Sequence, residues 1–350
     1  MQPTFGSESA VVVQTHVITP HLVKRFALAK SQLAAHGIPF YVSFLIGDSA
    51  SAACPDGRGP PHEALDSLRA AISSESVWCL DPRDHAAVLP TFFKSLEAFA
   101  PAHRSMYGKP TAIAGLHWSW IMCDMHAIVG AYRHRLFGSA ADSLAAPPPS
   151  SSRLGRPHQQ LSYLWVFDYD ITWAGDLGAF VDAFAAEPAD LLVAKDNGHA
   201  SSRKNHKGQI TYAQFSVRNY LADEAVYSAL LAPVRYSARM LERTRGVVAD
   251  GQLAFCETRG PSLCRAQPSW CTQRSMLELR PELFSANFSC CKSHSERFSS
   301  EREQEWRRLP EAARPPVQLL HRVKLDGAAQ VATRQSRHAN KTHTHNVHRL

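Results

Sequence analysis

Two hydrophobic periods alternate over the first fifty residues. Residues 10 to 18 are β-branched and apolar, which predicts a strand. Leu22, Phe26, Ala29 and Leu33 then recur at helical spacing. Thr19 suits the cap of that helix, Pro20 its first position, and Gly37 its end. Phe40 to Ile46 reads as a second buried strand ending at Gly47 and Asp48. Strand, helix and strand in that order predict a parallel sheet with ligands at the strand carboxyl ends. Residues 49 to 62 are rich in Gly, Pro and Ser and read as loop. Residues 63 to 137 read as mixed, mostly helical sequence. Residues 138 to 158 are a Pro/Ser-rich loop, taken as an insertion because the sheet pattern resumes after it.

The strongest strand pattern is Leu161 to Phe167, and two acids, Asp168 and Asp170, stand at its end. Gly175 and Asp176 follow. Leu177, Phe180, Val181 and Phe184 then mark one helix face, with Asp176 placed to cap it. Pro188 ends that helix, and residues 190 to 194 return as a strand. The unit is therefore strand, acidic loop, helix, strand.

Composition narrows the function classes. The chain has 350 residues, 45% hydrophobic and 20% charged, as an ordinary globular protein does. A net charge of +7 first suggests a polyanion partner. Arg322, Lys324, Arg334, Arg337, Lys341 and Arg349 face a single acid, Asp326, in the last thirty residues. Most of the excess is thus a tail, and the body is nearly neutral. With no nucleic-acid motif either, nucleic acid is not an expected partner. The tail carries His338, His343, His345 and His348 without an apolar face, so residues 328 to 350 are expected to be disordered. The most apolar long stretch, Thr111 to Tyr132, is broken by His117, Asp124 and His126 and does not read as a membrane span. The amino terminus enters its first strand without a basic leader. That implies a cytoplasmic chain or an anchor upstream of residue 1, and membrane association only in the second case. Five of eight cysteines follow residue 250 without C-x-x-C spacing. That pattern, with acceptor triplets at Asn287 and Asn340, fits disulfides in a lumen as well as it fits chance.

The acid pair carries the clearest chemistry. Side chains at i and i+2 on a strand point to opposite faces, so a bend at Tyr169 is needed to bring both to one ligand. Paired acids are costly without a cation, and Mg²⁺ or Mn²⁺ is the natural one. Such an ion could hold a diphosphate and neutralise it as a leaving group. Two acids capping a turn is the plainer alternative. The apolar strand before and the capped helix after favour the site.

Residues 164 to 177, LWVFDYDITWAGDL, with Phe180 and the strand from Ala189, resemble the D-x-D region of GT-A-type glycosyltransferases. The closest likeness is to a eukaryotic group with an aromatic-rich strand and an acid-Tyr-Asp-Val core. Leu177 stands where that group usually has Trp. The likeness is strongest over residues 160 to 195. It implies an α/β, GT-A-like, Rossmann-related fold in one domain, residues 1 to 327. Its nucleotide-binding half would be 10 to 137, and its D-x-D and acceptor half 159 to 327. It implies Asp170 as metal ligand and Asp168 as ligand or ribose contact. His321 would complete the metal shell, in a late LLHRVK segment where similar sequences read His-Pro-Val-Lys. Lys324 and Lys195 would contact phosphate, Lys195 with Asp196 leading into a basic loop with Arg203, Lys204 and Lys207. Glu257, on a loop or short strand, would be the base of an inverting enzyme, with Asp250 as its rival. Asp48 could contact nucleotide or cap its loop. The cofactor would be Mn²⁺ or Mg²⁺, the donor a nucleotide-sugar, and the acceptor a hydroxyl of a glycan, protein or lipid. A Golgi or ER lumen location follows from the same likeness. Asp168, Asp170 and Thr172 also fit the D-x-D-x-T start of haloacid-dehalogenase-like phosphatases, although no second acidic pair of that family follows. A catalytically inactive transferase-like binding module is the third alternative.

Overall fold

The computed structural model describes residues 8–15, 17–45, 63–80, 89–91, 94, 124–134, 136–137, 161–199, 226–251, 256–285, 288, 294–320 and 323–324. The opening unit forms as its pattern predicts: β1 (Ser9–Thr15), α1 (Pro20–Ala35) and β2 (Phe40–Leu45). The Thr19 hydroxyl accepts from the Leu22 amide at 3.2 Å, and Gly37 leaves the helix at a φ of 70°. Where it is described, the next stretch is mixed and mostly helical, as expected. After α2 (Glu63–Ile72) comes a strand, β3 (Val77–Leu80), before α3 (Met125–Arg133). Four residues are too few for periodicity to separate strand from helix; parallel pairing with β2 decides it.

The second half supplies β4 (Tyr163–Asp168), β5 (Thr172–Gly175), α4 (Leu177–Asp182), β6 (Leu191–His199) and β7 (Tyr227–Ser237). These are followed by α5 (Ala238–Ala249), α6 (Cys256–Ala266), β8 (Gln273–Ser275), α7 (Met276–Leu279) and β9 (His294–Ser295). The last elements are α8 (Glu296–Arg308), β10 (Val317–Leu320) and β11 (Val323–Lys324). The main sheet has seven strands in the order β3-β2-β1-β4-β7-β6-β8. Every strand but β7 runs the same way. This is the mixed, mostly parallel, helix-flanked sheet of a GT-A-like or Rossmann-like fold.

Burial on both faces explains why β1 and β4 read as continuous apolar runs. Ala10, Val12, Leu164 and Val166 face one core, closed by α3, α5 and α6. Val11, Val13, Trp165 and Phe167 face the other, under α1, α2 and α4. There Phe180 sits edge-on to Trp165, Phe167, Phe184 and Phe284. Leu177, at the family's Trp position, is fully buried in the same core. Cys264 and Cys271 form a disulfide, and Cys256 is disulfide-bonded too, while Cys79 is not in a disulfide. No described helix is long and apolar enough to cross a membrane. The loop at 138–158, the sequons at Asn287 and Asn340 and the tail from 328 lie outside the described residues.

Two polar side chains of α1, Arg25 and Gln32, and that of its C-cap, His36, hold the chain that follows the acid pair. Arg25 donates to the Ile171 carbonyl at 3.3 Å. Gln32 accepts from the Trp173 indole at 2.9 Å and the Leu177 amide at 3.1 Å, and donates to the Gly175 carbonyl at 2.8 Å. The His36 ring lies against Gly178, where a Cβ would come within 2.2 Å of it, so any larger residue would have to displace the ring. Its Nδ1 is 2.5 Å from the Asp182 carboxylate and its Nε2 3.0 Å from that of Asp176. Carboxylates only accept, so both contacts need the imidazolium, which alone has two donors. Asp182 and Asp176 accordingly raise the His36 pKa above its usual 6.5, against a smaller opposing effect of burial.

A raised histidine pKa stabilises the fold below the unfolded value, and that contribution disappears as pH rises through the folded value. The expected outcome is that wild type loses stability relative to His36→Gln as pH rises above about 6.5, the ordinary histidine value. Urea unfolding at a series of pH values checks it, and parallel profiles for the two proteins would refute it.

Candidate functional site

The strand order reverses between β1 and β4: β2 and β3 extend to one side, and β7, β6 and β8 to the other. In open α/β sheets the crevice beyond the strand carboxyl ends at such a reversal is where ligands bind. Asp168 closes β4 there, in register with Gln14 at the end of β1. Both belong to the strand face that carries Val12 and Val166, the face covered by α3 and α6. The chain then turns at Tyr169 and Asp170, with the Ile171 amide bonded to the Asp168 carbonyl at 3.1 Å. This is the bend that an i, i+2 acid pair requires.

The electrostatics record what gathers around Asp168. Burial pushes its pKa well above the ordinary carboxylate range, and the charge of Asp170 adds to this. Glu257 and Asp124 push the same way, while a hydrogen bond from Gln14 acts against them. The charges that bear on Asp168 thus come from the turn after β4, the first turn of α6 and the N-cap of α3. Tyr169, flanked by both aspartates, has a pKa raised to about 12, chiefly by burial. Asp124 is neutralised locally: it pairs with the fully buried Arg259 and accepts from the Tyr236 hydroxyl at 2.8 Å.

The predicted site residues fare differently. Asp170 and Glu257 both bear electrostatically on Asp168. Glu257 sits in the first turn of α6, not on a loop or short strand as its sequence suggests. Asp250, its rival, terminates α5 as the C-cap. Lys195 lies in β6, two residues beyond Val193, as Asp168 lies two beyond Val166, and both of those valines pair with Val234. Lys195 therefore stands at the same end of the sheet, two strands across. Asp196 is engaged structurally, bonded by Gln273 at 3.0 Å and by Arg265. Lys324 is in β11, which pairs with β9. Just before it, β10 pairs with β5 so that Leu320 faces Thr172, two residues past Asp170. His321, Asp48, Arg203, Lys204 and Lys207 lie outside the described residues.

The donor set suits a hard divalent ion. Such ions are often held by one or two carboxylates, with phosphate oxygens and water completing the shell. Asp168 and Asp170 supply hard oxygens whose mutual repulsion a cation would relieve. Among the described residues no three metal-binding side chains converge. An open groove of about 520 Å³, lined by residues of α5 together with Gln267 and Trp270, contains none of the clustered acids.

Sequence reasoning missed Gln14, Asp124, Arg259 and Tyr236. Two of them left a signal: Gln14 ends a run of valines, and Asp124 interrupts the most apolar long stretch of the chain. Arg259 and Tyr236 could not be found without their partner, Asp124.

No family model matches the chain, and no curated protein does. Among solved structures, one that matches is mouse xyloside xylosyltransferase 1 in its apo form. It is 9% identical over 89% of this chain and 96% of that one, with a TM-score of 0.33. A likeness that distant says nothing about substrate or activity.

Removing one partner of a fully buried ion pair leaves an uncompensated charge and costs about 3–5 kcal/mol. Arg259→Met should therefore lower the stability of the protein by that order. The double variant Arg259→Met with Asp124→Asn should be destabilised by less than the sum of the two single changes. Chemical denaturation of the four proteins makes the comparison, and strict additivity would remove the pairing from the account.

Proposed function

We propose that the protein is a metal-dependent glycosyltransferase that moves a sugar from a nucleotide-diphosphate donor to a hydroxyl acceptor. The observation that carries this reading is the acid turn at the β1/β4 reversal, with Glu257 drawn into the same electrostatic field. The D-x-D resemblance of residues 164 to 177 supports it.

In this reading Asp168 and Asp170 hold the cation, and the bend at Tyr169 lets both reach it. Bound there, Mn²⁺ or Mg²⁺ supplies the charge that neutralises the departing diphosphate. Lys195, at the same sheet end, is assigned to phosphate oxygens as a mobile point charge. Lys324 and His321 are assigned to diphosphate and metal from the late segment that follows β10. Glu257 takes the proton of the acceptor hydroxyl if the reaction inverts configuration. Its place in the first turn of α6 favours a negative side chain. The disulfide at Cys264 and Cys271 suits a lumenal setting.

The test is a panel of nucleotide-sugars offered to the full-length protein with and without Mn²⁺. Binding or slow hydrolysis should require the metal and vanish in Asp170→Asn. Glu257→Gln should keep donor binding yet lose transfer by about 100- to 10,000-fold, the usual contribution of a general base. Failure of wild type to bind any donor, or equal binding by Asp170→Asn, rejects the reading. Phosphatase activity abolished by Asp168→Asn would put a haloacid-dehalogenase-like enzyme in its place. Metal-dependent binding without turnover would leave a binding module.

A further inference from the structure

We propose that Gln14 is the positioning residue of the acid pair, a neutral amide that fixes which Asp168 oxygen faces a divalent cation. The proposal rests on the metal-dependent reading above and assigns a role to a residue which that reading does not use.

Gln14 is 1% exposed, in a strand whose preceding residues are Val11, Val12 and Val13. Valine would serve the packing there and would avoid burying an amide, which costs free energy unless it is hydrogen-bonded. Its Nε2 donates to Asp168 Oδ1 at 2.5 Å. Its backbone carbonyl accepts from the Tyr169 amide at 3.2 Å. One residue thus holds both the carboxylate of Asp168 and the first peptide of the turn that swings Asp170 round. The in-register pairing of β1 and β4 puts the two side chains side by side, on the sheet face covered by α3 and α6.

The type of donor matters. Lys or Arg in this place would orient Asp168 equally well, but its positive charge would repel a divalent ion. An amide occupies Oδ1 with a dipole and leaves the negative charge of the site intact. Oδ2 is then the oxygen a cation would take, in a fixed direction. Hydrogen-bond partners that orient a ligating carboxylate typically raise metal affinity by about 10- to 100-fold.

The experiment measures Mn²⁺ alone binding to the full-length protein, by loss of the free-ion electron paramagnetic resonance signal. Gln14→Met has similar reach without a donor, and Gln14→Leu is a second route to the same loss. Ser43→Ala is the control, since Ser43 is in register with Gln14 on β2 and equally buried. Thermal melts without metal report folding separately. Both Gln14 variants should melt as folded proteins and bind Mn²⁺ about 10- to 100-fold more weakly, while Ser43→Ala binds as wild type does. Folded Gln14 variants with wild-type affinity would overturn the role of Gln14 and leave the metal reading standing. So would Gln14 variants that no longer fold, because the residue would then serve the core. Wild type that takes up no Mn²⁺ would overturn both.

Discussion

The parallel pairing of β1 with β4 is the constraint on which the rest of this structure depends. It joins residues more than 150 positions apart in the chain. It brings the strand ends Gln14 and Asp168 level, and it creates the reversal in strand order beyond which the crevice opens. Without it, Asp168 and Asp170 would be two acids on a surface turn. With it, they stand at the edge of a doubly covered sheet, where burial and crowding make their charges matter.

Burial is also why the acid region needs counterweights. Asp124 is fully enclosed and would be very costly as a lone charge, so it is paired with Arg259 and hydrogen-bonded by Tyr236. Asp168 receives the amide of Gln14 and no cation from the described chain. The contrast separates two uses of a buried carboxylate. Asp124 has its charge cancelled by the protein. Asp168 is held by a neutral amide, and burial with the charge of Asp170 resists its ionisation.

Much of this could be read in the sequence, because the relevant patterns are local. The caps at Thr19 and Asp176, the apolar period of α1 and the run from Leu161 to Phe167 each declare themselves within a few residues. The acid pair is legible for the same reason. What escaped is non-local or short. The four residues of β3 carry no period of their own, and β5 is a strand only because β10 lies against it. The helix that carries Glu257 is not legible, since Gly260 and Pro261 disguise α6 as a loop. Gln14 stood in plain view as the polar end of an apolar strand, and its meaning lay 154 residues away.

The acid turn is also anchored on its far side. Two side chains of α1 and that of its C-cap fix the chain that leads out of the turn. Arg25 takes the carbonyl next to Asp170, Gln32 ties β5 to the start of α4, and His36 clamps α4 between two carboxylates. Gln14 fixes the near side from β1. The turn is therefore gripped from the two elements of the opening strand–helix unit, and neither the first nor the second half of the chain contains the site by itself. Arg25 and Gln32 of α1 thus lie toward the acid-bearing half of the fold, while Lys30 of the same helix turns to the Ile72 carbonyl of α2.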